Sequence, residues 1–367
     1  MTEDLTTDLS KLSGLFVIAH NSAFVYKGKE VDVGEVHRKL GVRYVLEGSV
    51  RKADNQVRIT AQLVDATTGG HVWSERYDRS LQEIFALQDE IRQKIVTALR
   101  VKLTKEEQER LRHAPTNNLE AYDYYLRGLE SLGLITKEGN AQARQMFEKA
   151  IALDPQYAAA YALLAGSYLW EWTNQWNKDP QMLERAFELA QRAVTLDDVL
   201  PLAHSVLGNV YQWKNQHDQA IAEGERAVVL DPNNAESYMR LAFILGPAGR
   251  AEEAIEVAKK AMRLNPHYPP VYLFALGGAY HQAWHNEEAI ATLKRYLVYN
   301  PNHTLPHVML TCSYSDLGRY KEAQAEAAEV LRVSPNFTTE VWKTNQWNKD
   351  PAELERHYNN LRKAGLK

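Results

Sequence analysis

Residues 207–232 read LGNVYQWKNQHDQAIAEGERAVVLDP, and residues 241–266 read LAFILGPAGRAEEAIEVAKKAMRLNP. Aligned at a spacing of 34 residues, Leu207 falls on Leu241, Gly208 on Ala242, Ala220 on Ala254, Ala227 on Ala261 and Pro232 on Pro266. The pattern runs on through Leu276, Gly277, Tyr280, Ala289, Tyr296 and Pro301, and again through Leu310, Tyr314, Ala323, Val330 and Pro335. A period of this length marks a stacked array of supersecondary units, none of which can bury its apolar face alone. Each unit reads as two antiparallel helices. Small residues at Gly208 and Ala220, and at Ala242 and Ala254, let the pair approach closely, while Tyr211 or Tyr280 fills the gap between neighbours. Asp231-Pro232 and Asn265-Pro266 end the second helix of their units, because proline cannot continue it.

Toward the amino terminus the marks grow sparser. A first unit at 119–155 shows Tyr124, Gly128, Ala143, Phe147, Ala150 and Pro155, lengthened by a turn at 136–140. A second shows Tyr161, Leu164, Tyr168, Ala186, Ala190 and Ala193, with a longer inter-helix loop and Asp198 where the proline would stand. After the last unit, a helix at about 351–364 is expected to cap the array, since an uncapped end would expose apolar surface. Residues 119–336 resemble tetratricopeptide repeats. That resemblance implies an α-α superhelix, a tetratricopeptide solenoid, whose first helices line a concave face.

The first eighty residues read differently. Leu5, Leu9 and Leu12 are spaced as on a helix. Leu15–Ala19 is apolar throughout and reads as a strand covered on both faces. Residues 32–40 read as a helix with Asp32 as N-cap and Gly41 as its stop. Three strands follow. Tyr44, Leu46 and Val50 share a face of the first, and Val57, Ile59, Ala61 and Leu63 a face of the second. Asp54-Asn55 and Thr68-Gly69-Gly70 supply the turns. Ser80-x-x-Glu83 then reads as a capping box before an apolar stripe of Ile84, Leu87, Ile91, Ile95 and Leu99, and the polar stretch 104–116 as the end of that helix and a linker.

Thr2–Leu5, Leu15–Ala19, Tyr26–Lys29, Leu40–Arg51 and Val57–Leu63 resemble the TolB-like amino-terminal module. In bacterial proteins that module stands between an effector, a class III adenylate cyclase domain or a winged-helix regulator, and a tetratricopeptide array. The family module begins with an extra strand and loop, whereas this chain starts inside the helix that follows them. A strand at 15–19 would then carry an open edge, and the expectation is a homo-oligomer through that edge. The expected fold is mostly α. A small amino-terminal α/β domain spans 1–80, a helix and linker 81–117, about six repeat units 118–336, and a capping helix 337–367.

The 367 residues carry Lys+Arg 43 against Asp+Glu 47, a net charge of −4, which argues against a nucleic-acid surface. Cys312 is the one cysteine, so no disulfide framework or thiolate zinc site is encoded, in keeping with a reducing compartment. No basic-then-apolar leader and no apolar run of about 18 residues is present, and a cytoplasmic location is expected. Phosphate loops, dinucleotide fingerprints and nucleophile elbows are absent, so no cofactor, metal or catalytic residue is assigned. His281 and His285 stand four apart as in a zinc helix, but Gln282 replaces the required glutamate; a solvated helix face is the expected reading. Cys312 reads as a packed thiol.

By the tetratricopeptide resemblance, the ligand-facing positions are Asn209, Gln212 and Trp213 in the third unit and Met239, Arg240 and Phe243 in the fourth. The fifth supplies Phe274, His281 and Gln282, and the sixth Val308, Cys312 and Asp316. An extended or helical peptide is the expected ligand. Family members that clamp a carboxylate use a Lys/Asn/Arg set, of which only Asn209 has a match here. One further feature is an identical cassette: Thr173–Pro180 recurs as Thr344–Pro351, and Leu183–Arg185 as Leu354–Arg356. It reads as a helix start, with aspartate capping and proline first, or as paired loops that offer Trp176 and Trp347 as anchors to a partner. The function expected is a non-enzymatic protein-interaction scaffold, the sensory or docking part of a bacterial regulator. The alternative is a carboxy-terminal fragment of a class III adenylate cyclase or of a winged-helix transcription regulator.

Overall fold

The computed structural model describes residues 2–29, 31–111, 116–174, 176, 177, 179, 181–340 and 351–367. Among these the chain is mostly helical: one three-stranded sheet near the amino terminus is followed by helical hairpins. Contacts divide the chain into two compact units. The first holds Met1–Ala203 with Val228–Asn234 and Leu264–His267, and the second holds the remainder.

In the first unit, α1 (Thr2–Ser10), α2 (His20–Phe24) and α3 (Val33–Leu40) precede β1 (Tyr44–Ala53), β2 (Gln56–Asp65) and β3 (Gly70–Ser80). The strands form an antiparallel meander in which Leu46 lies opposite Leu63, and Ile59 opposite Tyr77. Asp54, at φ +49°, makes the first tight turn. Alternation decides the faces. Val57, Ile59, Ala61 and Leu63 are all buried, while Arg58 is exposed on the opposite face and pairs across the strands with Asp78 at 2.5 Å. A 3-10 turn (Leu81–Glu83) leads into α4 (Ile84–Ala98), where Ser80 Oγ accepts from the N–H of Gln82 at 3.3 Å. α4 lays Leu87, Ile91 and Ile95 on the apolar face of the sheet, and α1 adds Leu5 and Leu9. Burying each such side chain stabilises the unit by about 2 kcal/mol. α3 ends as its sequence requires: Asp32 Oδ1 accepts from the N–H of Gly34 at 2.9 Å, and Gly41 closes the helix at φ +68°.

Two expectations need correction. Leu15–Ala19 is not a strand. Its backbone donors are taken by turns of the array: the N–H of Val17 donates to Asn233 Oδ1 at 3.3 Å, and that of Ala19 to the Leu264 carbonyl at 2.8 Å. The apolar run serves two small cores rather than a sheet. Leu15 and Val17 pack toward α4, and Ile18 packs with Val36 and Leu40. The open edge at 15–19, on which the homo-oligomer expectation rested, is therefore absent. The polar stretch expected to hold the end of α4 and a linker instead holds a separate helix, α5 (Lys105–Arg110), since α4 stops at Ala98. Thr104 and Glu107 form a reciprocal capping box, and Glu107 Oε1 also accepts from the N–H and Oγ of Ser13, each at 2.8 Å.

The amino-terminal segment grips the proline turns that end repeat helices. Ser10 Oγ donates to Asp231 Oδ2 at 2.9 Å, and Asn233 Nδ2 donates to the carbonyls of Ser10 and Leu12 at 3.0 and 3.1 Å. Burial pushes the Asp231 carboxyl above its usual range. At the next turn, Ser22 Oγ donates to Asn265 Oδ1 at 2.6 Å and accepts from the N–H of His267 at 2.8 Å.

The hairpins are α6 (Leu119–Leu132) with α7 (Lys137–Leu153), α8 (Ala158–Thr173) with α9 (Gln181–Leu196), and α10 (Pro201–Trp213) with α11 (His217–Leu230). They continue with α12 (Ala235–Leu245) and α13 (Ala251–Leu264), α14 (Val271–Gln282) and α15 (Asn286–Tyr299), and α16 (Thr304–Asp316) and α17 (Tyr320–Val333). The expected lengthening at 136–140 is the capped first turn of α7, with Thr136 Oγ1 accepting from the N–H of Gly139 at 3.0 Å. Close approach is visible at Gly128, where a Cβ would lie 2.3 Å from Cε1 of the Phe147 ring, and at Gly208, where it would lie 3.0 Å from the Ala220 carbonyl. A closing helix, α18 (Pro351–Lys363), joins the core of the second unit through Leu361, Ala364 and Leu366.

Candidate protein-binding surface

All the expected groove residues of the third to sixth repeats lie in the second unit. Their first helices are linked side by side. Gln212 on α10 donates from Nε2 to the Phe243 carbonyl on α12 at 2.7 Å. The Phe243 ring meets Phe274 on α14 with centroids 5.8 Å apart, and Gln282 on α14 packs against Gly246. Gln212 and Met239 are buried by these contacts, so their side chains serve the seams between helices. Asn209, Trp213, Arg240, Phe243 and Gln282 remain half-buried. Phe274 leads inward instead, meeting Tyr296 at 5.4 Å and His303 at 5.0 Å.

At the fifth and sixth repeats the same helix face is covered by the chain itself. α18 packs on α16, and its amino-terminal half reaches back over α14. His281, expected to be solvated, is 3% exposed. It stacks on His357 of α18 with centroids 4.6 Å apart, and its Nδ1 hydrogen-bonds Ser313 Oγ at 2.8 Å. Arg356 lies over the Trp284 ring, 3.7 Å from Asp316 Oδ2, and its Nη2 donates to His357 Nε2 at 3.4 Å. Since a guanidinium cannot accept, His357 receives that bond as a neutral ring. Asn360 Nδ2 donates to Asp316 Oδ1 at 2.7 Å, and Cys312 Sγ faces the His357 carbonyl at 3.8 Å. Burial, with Arg356 adding to it, pulls the His357 pKa down to about 3; burial first, then His357 and Arg356, holds His281 well below the usual histidine range. Val308 and Cys312 are buried, as the packed-thiol reading of Cys312 requires.

In the first unit, Trp176 is half-buried and packs on Trp170 with centroids 5.2 Å apart. Asp179 Oδ1 accepts from the N–H of Gln181 at 3.0 Å, the capping role expected of the cassette. Trp347 lies outside the described residues. Sequence reasoning missed the contribution of Arg356, His357 and Asn360; their only mark was the echo of Leu183–Arg185 at Leu354–Arg356. Among the described residues no group of three or more His, Cys, Asp or Glu could hold a metal ion, and no helix is long and apolar enough to cross a membrane.

Residues 248–311 match the tetratricopeptide repeat family model. "Putative adenylate cyclase 3" of Rhizobium meliloti (strain 1021) is 49% identical over 221 residues, which is 60% of this chain and 38% of that protein. "Transcriptional regulator HilA" of Salmonella paratyphi A is 27% identical over 151 residues, 41% of this chain and 27% of that one. This chain thus spans well under half the length of either relative. Among solved structures, the APC/C hetero-tetramer Cut9-Hcn1 is similar in fold with a TM-score of 0.50 at 20% identity, covering 62% of this chain and 42% of that one. The match at 248–311 and the likeness in fold agree on helical hairpins of the tetratricopeptide type.

Proposed function

We propose that this chain binds a peptide or protein segment across the first helices of its third and fourth repeats, and that it acts as the docking or sensory part of a bacterial regulator without chemistry of its own. The observation that carries the reading is the row of half-buried Asn209, Trp213, Arg240 and Phe243 on two helices locked together by the Gln212–Phe243 bond. Aromatic rings and arginine are the side chains that dominate binding energy at interfaces, and a rigid helix row holds them in place before the ligand arrives. Peptides selected from a display library against the full chain test this. Trp213→Ala with Arg240→Ala should weaken the selected peptides at least tenfold while leaving helicity unchanged. Undiminished binding in that double variant would end the proposal.

A second reading draws on the relatives. The amino-terminal unit is read as a TolB-like module, and the similarity to a protein named as an adenylate cyclase supports a piece of such an enzyme that carries the array. Turnover of ATP to cyclic AMP by the purified chain would overturn the non-enzymatic reading.

A further inference from the structure

The face of α14 and α16 beneath α18 is neither bare nor plainly greasy. Leu361, Ala364 and Leu366 seat in the core around Leu310, Tyr314 and Val330. Beside that seat, Arg356, His357 and Asn360 meet Trp284, His281 and Asp316 one for one. These three residues and Leu361 lie on one side of α18, spaced as neighbours on successive turns. A cap that only shields apolar surface has no need of a buried imidazole pair and a carboxylate that accepts from Asn360 and lies within ion-pair range of Arg356. Polar groups buried at this density discriminate, because a helix lacking their partners would leave them unsatisfied.

We infer that this surface is a receiving site for an amphipathic helix, that α18 is its built-in occupant, and that the external partner is a protein helix presenting a guanidinium, an imidazole, an amide and a leucine in the same spacing. The inference rests on the reading of the array as a protein-binding scaffold and adds a second site to it. α18 is part of the same chain as the site it fills, so an external helix competes only when α18 is loosened.

The test uses a fluorescein-labelled peptide of residues 351–367 and the full chain, followed by anisotropy. Leu361→Asp places a charge in the apolar seat and unseats α18. That variant should bind the peptide at least tenfold more tightly than the unmodified chain does, and a peptide carrying Arg356→Ala should lose at least tenfold on it. A folded Leu361→Asp chain that binds the peptide no better than the unmodified protein overturns the inference. If Leu361→Asp fails to fold, Cys312 in the unmodified chain becomes the reporter, since it is the sole thiol and lies against α18. Its labelling by a thiol reagent should run well ahead of global unfolding; labelling only at the global rate overturns the inference. Binding of library peptides to the Trp213–Arg240 row is read separately, so either site can fail while the other stands.

Discussion

Asn233→Ala should cost far more than the same change at Asn302, although each asparagine directly follows the proline that ends a repeat. Asn233 is 6% exposed and serves three backbone groups of the amino-terminal segment: the carbonyls of Ser10 and Leu12, and the N–H of Val17. Alanine leaves all three without these partners. At about 1 kcal/mol for each buried group left unsatisfied, the loss is about 3 kcal/mol. Asn302 is exposed and accepts from Arg332 Nη1 at 3.2 Å, so Asn302→Ala should stay within about 0.5 kcal/mol. Urea unfolding followed by far-UV circular dichroism gives both differences. Hydrogen exchange of the Val17 amide should accelerate in Asn233→Ala alone. A loss under about 1 kcal/mol, or equal losses at the two positions, would refute the view that the amino-terminal segment is held by array turns.

Acid should loosen α18. His281 and His357 are both held below the ordinary histidine pKa when α18 is docked, so below about pH 6.5 the undocked state binds more protons and docking weakens as pH falls; His357 alone accounts for about 1.4 kcal/mol at pH 5.5, and His281 acts in the same sense. The groups facing this pair are Ser313, Cys312 and Asp316 from α16, Trp284 just beyond α14, and Arg356 and Asn360 from α18 itself. His307 works in the opposite sense. Its bond to Glu326 at 2.7 Å raises its pKa, so its contribution is present at low pH and fades as pH rises through that value. Labelling of Cys312 with a dithiodipyridine isolates the first effect and should quicken between pH 7 and 5.5. Gly128→Ala should destabilise the first hairpin by about 1–3 kcal/mol, because its methyl group collides with the Phe147 ring, and thermal unfolding reads the loss.

The array was legible because a period of 34 residues repeats small residues where helices touch and prolines where they end, and both effects are local. α3 was legible for the same reason, with its cap and stop lying within two residues of its ends. Leu15–Ala19 was misread because hydropathy reports burial and not what buries: its backbone partners, Asn233 and Leu264, lie more than 200 residues away. The capping box at Thr104 and Glu107 lay in a polar stretch and was passed over, although its spacing matches the one expected at Ser80. On the candidate surface, helical phase put His281, Cys312 and Asp316 among the positions expected to face a ligand. Phase carries no information about which other segment covers that face, and α18 does.

The central claim, that the first helices of the repeats receive a protein ligand, is tested most directly by hydrogen exchange of the full chain with and without a selected peptide. The account predicts new protection concentrated on α10 and α12 around 209–213 and 240–243, with the second helices α11 and α13 unchanged. Protection confined to the second helices, or to the sheet at 44–80, would contradict it.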